Sequence, residues 1–171
     1  MSVINVKERI NRAESYIALQ TEQTRPPLRS LNVRELLELE IPPREIILSP
    51  ILPAQGLVMF SAPRGIGKTH VALWMAYTIA CGGEMFNKKW QCEKPYKVLF
   101  VDGEMPASTL QMRLSSIVAS SDKELEDVDN LKIITPDYQE LGIPDLSTSS
   151  GQEWLEPHLE GTNLLILDNL S

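Results

Sequence analysis

Cysteine is scarce in this chain of 171 residues: the two that occur, Cys81 and Cys92, are too few for a disulfide framework. No C-x-x-C pair or Cys/His cluster is present to hold zinc. Both read as plain thiols. Long apolar runs are also missing, since no uninterrupted hydrophobic stretch approaches the ~20 residues of a membrane span. Met1 to Gln20 is charged throughout and does not resemble a secretory signal. The expected location is therefore cytoplasmic, with no membrane partner. No internal repeat and no base-reading element for nucleic acid stands out, and basic residues become rare after residue 97. What remains is an ordinary globular composition, 43% hydrophobic and 23% charged, of a length that suits one domain.

The net charge of -7 argues against a general nucleic-acid binder, but its distribution is uneven. Residues 1–60 are balanced, with seven basic and seven acidic side chains. Residues 61–97 carry +4, from Arg64, Lys68, Lys88, Lys89, Lys94 and Lys97 against two acids. Residues 98–171 carry -11. The positive segment surrounds a glycine loop, where a local field of that sign suits a polyanion such as a nucleoside triphosphate. The acidic run SDKELEDVDN reads as a solvated loop.

The chain reads as an N-terminal helical segment, residues 1–45, followed by an α/β domain over residues 46–171. An amphipathic helix is expected over the first 25 residues, ending at Pro26-Pro27. Asn32 followed by Glu35 signals a second helix start, stopped by Pro42-Pro43, with Val33, Leu36, Leu37 and Leu39 expected as core contacts. Gly56–Ala62 (GLVMFSA) is an apolar run of strand length that feeds the glycine loop. After the loop, KTHVALWMAYTIACGG predicts a helix that ends at Gly82-Gly83. VLFV, LKIIT and NLLILD predict three further strands, with a helix from about Pro106 to Ser120 between the first two. Ser150 with Glu153 suggests a capped short helix that Pro157 must shorten or kink. Continuous apolar strands alternating with helices predict a parallel sheet covered on both faces.

Between the expected strand and helix lies SAPRGIGKTH, which is close to the phosphate-loop pattern G-x-x-x-x-G-K-[ST]. Such a loop aims backbone N–H groups and a helix N-terminus at phosphate oxygens. The candidate nucleotide-binding segment is Ala62, Pro63, Arg64, Gly65, Ile66, Gly67, Lys68, Thr69 and His70. Lys68 is expected to bridge the β- and γ-phosphates, and the Thr69 hydroxyl to ligate Mg²⁺. Ala62 stands where the pattern has its first glycine, but this position leaves the strand farthest from the phosphates and alanine adds one methyl group. Asp168, which ends an apolar strand, is the candidate second Mg²⁺ ligand. Asp102 and Glu104, in VDGEM, are both placed to act on an attacking water at the carboxyl end of a strand. The alternative for these two acids is a helix-start role for the helix after Pro106.

SAPRGIGKT, VLFVDGEMPASTLQMRL and LLILDNLS, in that order, resemble the RecA-type P-loop ATPases. Within them the similarity is greatest to the RepA-like and DnaB-like hexameric replicative helicases, AAA-family ATPases of plasmid and phage type. The resemblance covers about Leu48 to Ser171 and implies a RecA-like sheet cut off after the strand that ends at Asp168. It implies ATP and Mg²⁺ as cofactors, Glu104 as the water-activating group, and Arg113 beside the nucleotide base. It implies a homo-oligomeric, hexameric ring that acts on single-stranded DNA in replication through regions after Ser171. The phosphate sensor and the arginine reaching a neighbouring subunit would also lie there. On this reading the chain is the front half of a longer protein and is by itself a weak or inactive ATPase. The competing readings are a recombinase-like filament protein and a nucleotide-dependent regulatory or assembly switch without strand separation.

Overall fold

The computed structural model describes residues 28–168, and the chain divides into two units, Met1–Pro42 and Pro43–Ser171. In the first unit, Asn32 caps helix α1 (Val33–Glu38). Asn32 Oδ1 accepts from the Glu35 N–H at 3.0 Å, and Glu35 Oε2 accepts from the Asn32 N–H at 2.9 Å, a reciprocal box of the kind the sequence announces. The helix ends earlier than Pro42 requires, because Leu39 is already extended. Val33, Leu36, Leu37 and Leu39 are exposed and are not the core contacts that their spacing suggested. A six-residue helix makes under two turns, and no other helix is present in this unit among the described residues to cover its apolar side. The helix expected over the first 25 residues lies outside the described residues.

The second unit runs, in order, through β1 (Ile46–Leu48), β2 (Leu52–Pro53), α2 (Lys68–Cys81), β3 (Glu84–Met85), β4 (Trp90–Gln91), β5 (Val98–Asp102), α3 (Ala107–Ser120), β6 (Leu131–Ile134), α4 (Ser149–Glu153), α5 (Glu156–Leu159) and β7 (Leu164–Asp168). β5, β6 and β7 form the expected parallel sheet, in the spatial order β6-β5-β7. All five residues of the central strand β5 are buried, which is why it reads as an unbroken apolar run closed by one acid. Alternation along the strands sorts the core into two layers. Val98 and Phe100, with Leu131, Ile133, Leu164 and Ile166, face the layer that holds Leu73, Ala76 and Ile79 of α2 and Leu110 and Ile117 of α3. Leu99 and Val101, with Ile134, Leu165 and Leu167, face Ile143, Leu146 and Leu155. The β5-to-β6 crossover uses α3 on the first face, and the opposite crossover, β6 to β7, uses α4 and α5 on the second. Opposite directions over opposite faces give both crossovers the same hand.

α2 is buried on nearly all sides from Met75 to Cys81, so its apolar residues show no clean stripe. Gly82 ends it in the left-handed region at φ 63°, and the Gly83 N–H donates to Thr78 O at 2.8 Å, as in a Schellman end. The small antiparallel pairs β1–β2 and β3–β4 went unforeseen in the sequence. The turn between β3 and β4 places Phe86, Asn87 and Lys88 at positive φ, which costs on the order of 1–2 kcal/mol per residue. Edge-on ring contacts from Phe86 to Trp74 (4.9 Å) and to Trp90 (4.7 Å) offset this cost, and Phe60 lies 6.2 Å from Trp90.

Two further expectations are corrected. Gly56–Ala62 is not a strand and belongs to none of the sheets. Only Val58 of this stretch packs on the core, while Leu57, Met59 and Phe60 are exposed. Continuous hydrophobicity permits a strand, but a ladder partner makes one, and among the described residues β7 pairs with β5 alone. The chain enters this stretch from a tight turn, with the Gly56 N–H donating to Pro53 O at 3.1 Å and Gln55 at φ 56°. The second correction concerns α4, whose cap is Thr148 rather than Ser150. Thr148 Oγ1 accepts from the Gly151 N–H at 3.0 Å. Pro157 does interrupt the helix, which restarts as α5 with that proline in its first turn, where its missing N–H does no harm.

Candidate nucleotide-binding site

The glycine loop opens directly into α2. Gly67 is the residue before the helix, at φ 97°, and Gly65 lies at φ 80°. A Cβ at either position would meet nothing within 4 Å. These glycines are therefore required by backbone conformation and not by crowding, and their open side leaves room for a ligand's phosphates. Within the loop, the half-buried Lys68 Nζ donates to the Ala62 carbonyl and, at 3.3 Å, to the Pro63 carbonyl. Ala62 thus contributes its backbone oxygen, a role that its extra methyl does not disturb. Thr69 is half-buried in the first turn of α2. Pro63, Arg64, Ile66 and His70 are exposed.

The carboxyl ends of the three parallel strands supply the polar groups. Asp102 and Asp168 are register partners across β5 and β7. Their even positions in the alternation place both on the face that α2 and α3 cover. The Gly103 N–H donates to Asp168 O at 3.3 Å, extending the ladder one step past β5. Asp102 is only 2% exposed. Its Oδ1 accepts from the Glu104 N–H at 3.2 Å, and its Oδ2 accepts from the Met105 N–H at 3.1 Å. Burial pushes the Asp102 carboxyl above its ordinary value. The amides of Glu104 and Met105 pull it back, and the carboxylates of Asp168 and Glu104 add to the rise. Glu104 itself is exposed at the crest of this turn.

On the helix-start alternative for Asp102 and Glu104 the geometry bears only through side-chain capping. Helix α3 has no side-chain cap at Pro106. Instead the Ala107 N–H donates to Asp137 Oδ2 at 2.8 Å, from a turn thirty residues further on. Sequence reading missed Asp137, because nothing local marks so distant a cap. It also missed Thr135, just past the end of β6, which buries a hydroxyl without a hydrogen-bond partner. Arg113 is half-buried on α3, and helical spacing sets it on the side of Ser116 and Ile117. Those two residues, with Ser120, His70 and Trp74, line a cleft of about 350 Å³ between α2 and α3. His70 thus lines the inter-helix groove and Arg113 lies one turn before its Ser116 and Ile117 wall, while the two aspartates and the Glu104 turn gather at the sheet end.

A sequence profile of the AAA domain matches residues 22–171. The chain belongs to the AAA domain family. No curated protein matches it. As an AAA-domain chain it is of the nucleotide-binding, P-loop ATPase type, and its donor set is suited to that cofactor. Two left-handed glycines open the loop, and the Lys68 ammonium group donates to the neutral carbonyls of Ala62 and Pro63. Among the described residues no cluster of three or more His, Cys, Asp or Glu side chains forms a metal cage. Mg²⁺ does not need one, since it is usually held by one or two protein oxygens together with phosphate oxygens and water. No described helix of this AAA-domain chain is long and apolar enough to cross a membrane.

Proposed function

We propose that the chain is a RecA-like ATPase of the RepA/DnaB-like kind, which binds and hydrolyses Mg-ATP and acts as a hexameric DNA helicase or DNA-dependent ATPase in replication. The observation that carries this reading is the G-x-G-K-T loop at the N-terminus of α2, with both glycines left-handed and α2 packed on the sheet face to which Asp102 and Asp168 also belong. In this reading the loop amides and Lys68 hold the β- and γ-phosphates, and Thr69 and Asp168 are the protein oxygens for Mg²⁺. Bound Mg²⁺ supplies neutralisation of the phosphate charge. Glu104 orients or deprotonates the attacking water, and Arg113 lies beside the base. His70, next to Thr69 in the first turn of α2, lines the groove between α2 and α3.

The test is Glu104→Gln in the full-length protein, which keeps size and hydrogen bonding but removes the base. Turnover at saturating Mg-ATP is expected to fall by roughly 10² to 10⁴ with ATP binding retained. Single-stranded DNA should stimulate the parent's turnover. Near-normal hydrolysis by a folded Glu104→Gln protein would remove Glu104 from the reaction, and binding without turnover in the parent would favour a nucleotide-dependent assembly switch.

A further inference from the structure

We propose that Asp102 is a positioning residue, whose buried carboxylate holds the Gly103–Met105 turn and so sets Glu104 in place relative to Asp168. This rests on the reading of Glu104 as the group that acts on water. The geometry is specific. Asp102 Oδ1 accepts from the Glu104 N–H (3.2 Å) and the Met105 N–H (3.3 Å), and Oδ2 accepts from the same Met105 N–H (3.1 Å), so both oxygens grip the turn. On its other side the turn is tied to β7, because the Gly103 N–H donates to Asp168 O. The turn that carries Glu104 is therefore fixed at two points, the Asp102 side chain and the Asp168 backbone. Asp102 has no helix-capping duty, since Asp137 serves the first amide of α3.

The choice of residue supports the same conclusion. A carboxylate that is 2% exposed, with Asp168 and Glu104 as its charged neighbours, is an expensive way to hold a turn. A carboxylate nevertheless does what an amide side chain does not, because it offers acceptors alone. In Asp102→Asn one oxygen survives, but an NH₂ group then meets at least one turn amide donor to donor. The turn is expected to loosen while the phosphate loop, which lies elsewhere in the chain, keeps its shape.

The experiment compares four forms of the full-length protein: the parent, Asp102→Asn, Glu104→Gln and the double variant. For Asp102→Asn, turnover at saturating Mg-ATP should fall about ten- to a hundredfold, the scale of a misplaced reacting group. The affinity for a fluorescent ATP analogue with Mg²⁺ should stay unchanged. In the Glu104→Gln background, Asp102→Asn should cause no further loss, because there is no base left to misplace. Full turnover by Asp102→Asn, or the same fold-loss in both backgrounds, would overturn the proposal. Normal turnover by Glu104→Gln alone would instead defeat the underlying assignment, a distinguishable result. If Asp102→Asn does not fold, Asp102→Ser takes its place, since a serine hydroxyl is the usual weaker acceptor in such turns. Unfolding of both would assign Asp102 to stability and refute the positioning role.

Discussion

Replacing Lys68 by Ala tests the phosphate loop most directly, and the structure separates two effects of the change. In the free protein the Lys68 ammonium donates to the carbonyls of Ala62 and Pro63, so it already holds the loop's own backbone. Binding of a triphosphate exchanges these neutral acceptors for anionic ones, and charge-assisted contacts of that kind are worth roughly 1.5–3 kcal/mol. Titration with ATP and Mg²⁺ should therefore show an affinity about ten- to a hundredfold weaker for Lys68→Ala. The lost carbonyl bonds appear elsewhere, in the stability of the free protein. At about 1 kcal/mol for a part-exposed site, the melting temperature should drop by roughly 2–4 °C for a chain of this size. A lower melting temperature with unchanged ATP affinity would make Lys68 a loop staple and nothing more. Unchanged values of both would refute the reasoning altogether.

Two further outcomes concern the scaffold. Gly82→Ala should destabilise the protein by about 2–4 kcal/mol in urea unfolding, because the site combines left-handed backbone with steric conflict. Its φ is 63°, and a Cβ would lie 2.8 Å from the Lys94 carbonyl carbon and 2.9 Å from the Pro95 nitrogen; a loss below 1 kcal/mol, roughly the scale of strain alone, would contradict this. The second outcome is a two-sided pH dependence centred on the Tyr96 hydroxyl, which donates to Glu45 Oε1 at 2.8 Å. Hydrogen bonds from Lys94 and Tyr96 lower the Glu45 carboxyl, so the stability it provides is present above its unfolded value and is lost as the pH falls through the folded one. Burial first, and then the bond to Glu45, push Tyr96 up to about 12, so its contribution holds below 10 and is lost as the pH rises towards 12. Glu45→Gln should flatten the acid limb in melting curves recorded against pH, and an unchanged limb would place the effect elsewhere.

Much of this architecture was legible because it is local. The α2 sequence, the glycine stop at Gly82, the Asn32–Glu35 box and three apolar strands ending in Asp102, Ile134 and Asp168 all follow from short-range pattern. What failed was whatever depends on a distant partner. Leu57–Phe60 has the composition of a strand but no ladder, and the leucines of α1 have the spacing of a core face but nothing against them among the described residues. The cap of α3 comes from Asp137, a residue that no window around Pro106 contains. At the site, spacing located the loop and the acids, but it left Asp102 and Glu104 equivalent. Only the hydrogen bonds show that one is buried beneath the turn and the other stands upon it.

The chain of rings Trp74, Phe86, Trp90 and Phe60 has an optical consequence. It contains two of the three tryptophans, and it reaches the phosphate loop from both sides: Phe60 lies two residues before Ala62, and Trp74 sits on α2 five residues after Thr69. Indole rings in fixed edge contact give near-ultraviolet dichroism and emission that depend on separation and tilt. The loop is thus bracketed by its own chromophores. A change in the angle between its incoming segment and its outgoing helix is written into the protein's intrinsic spectrum, without any attached dye.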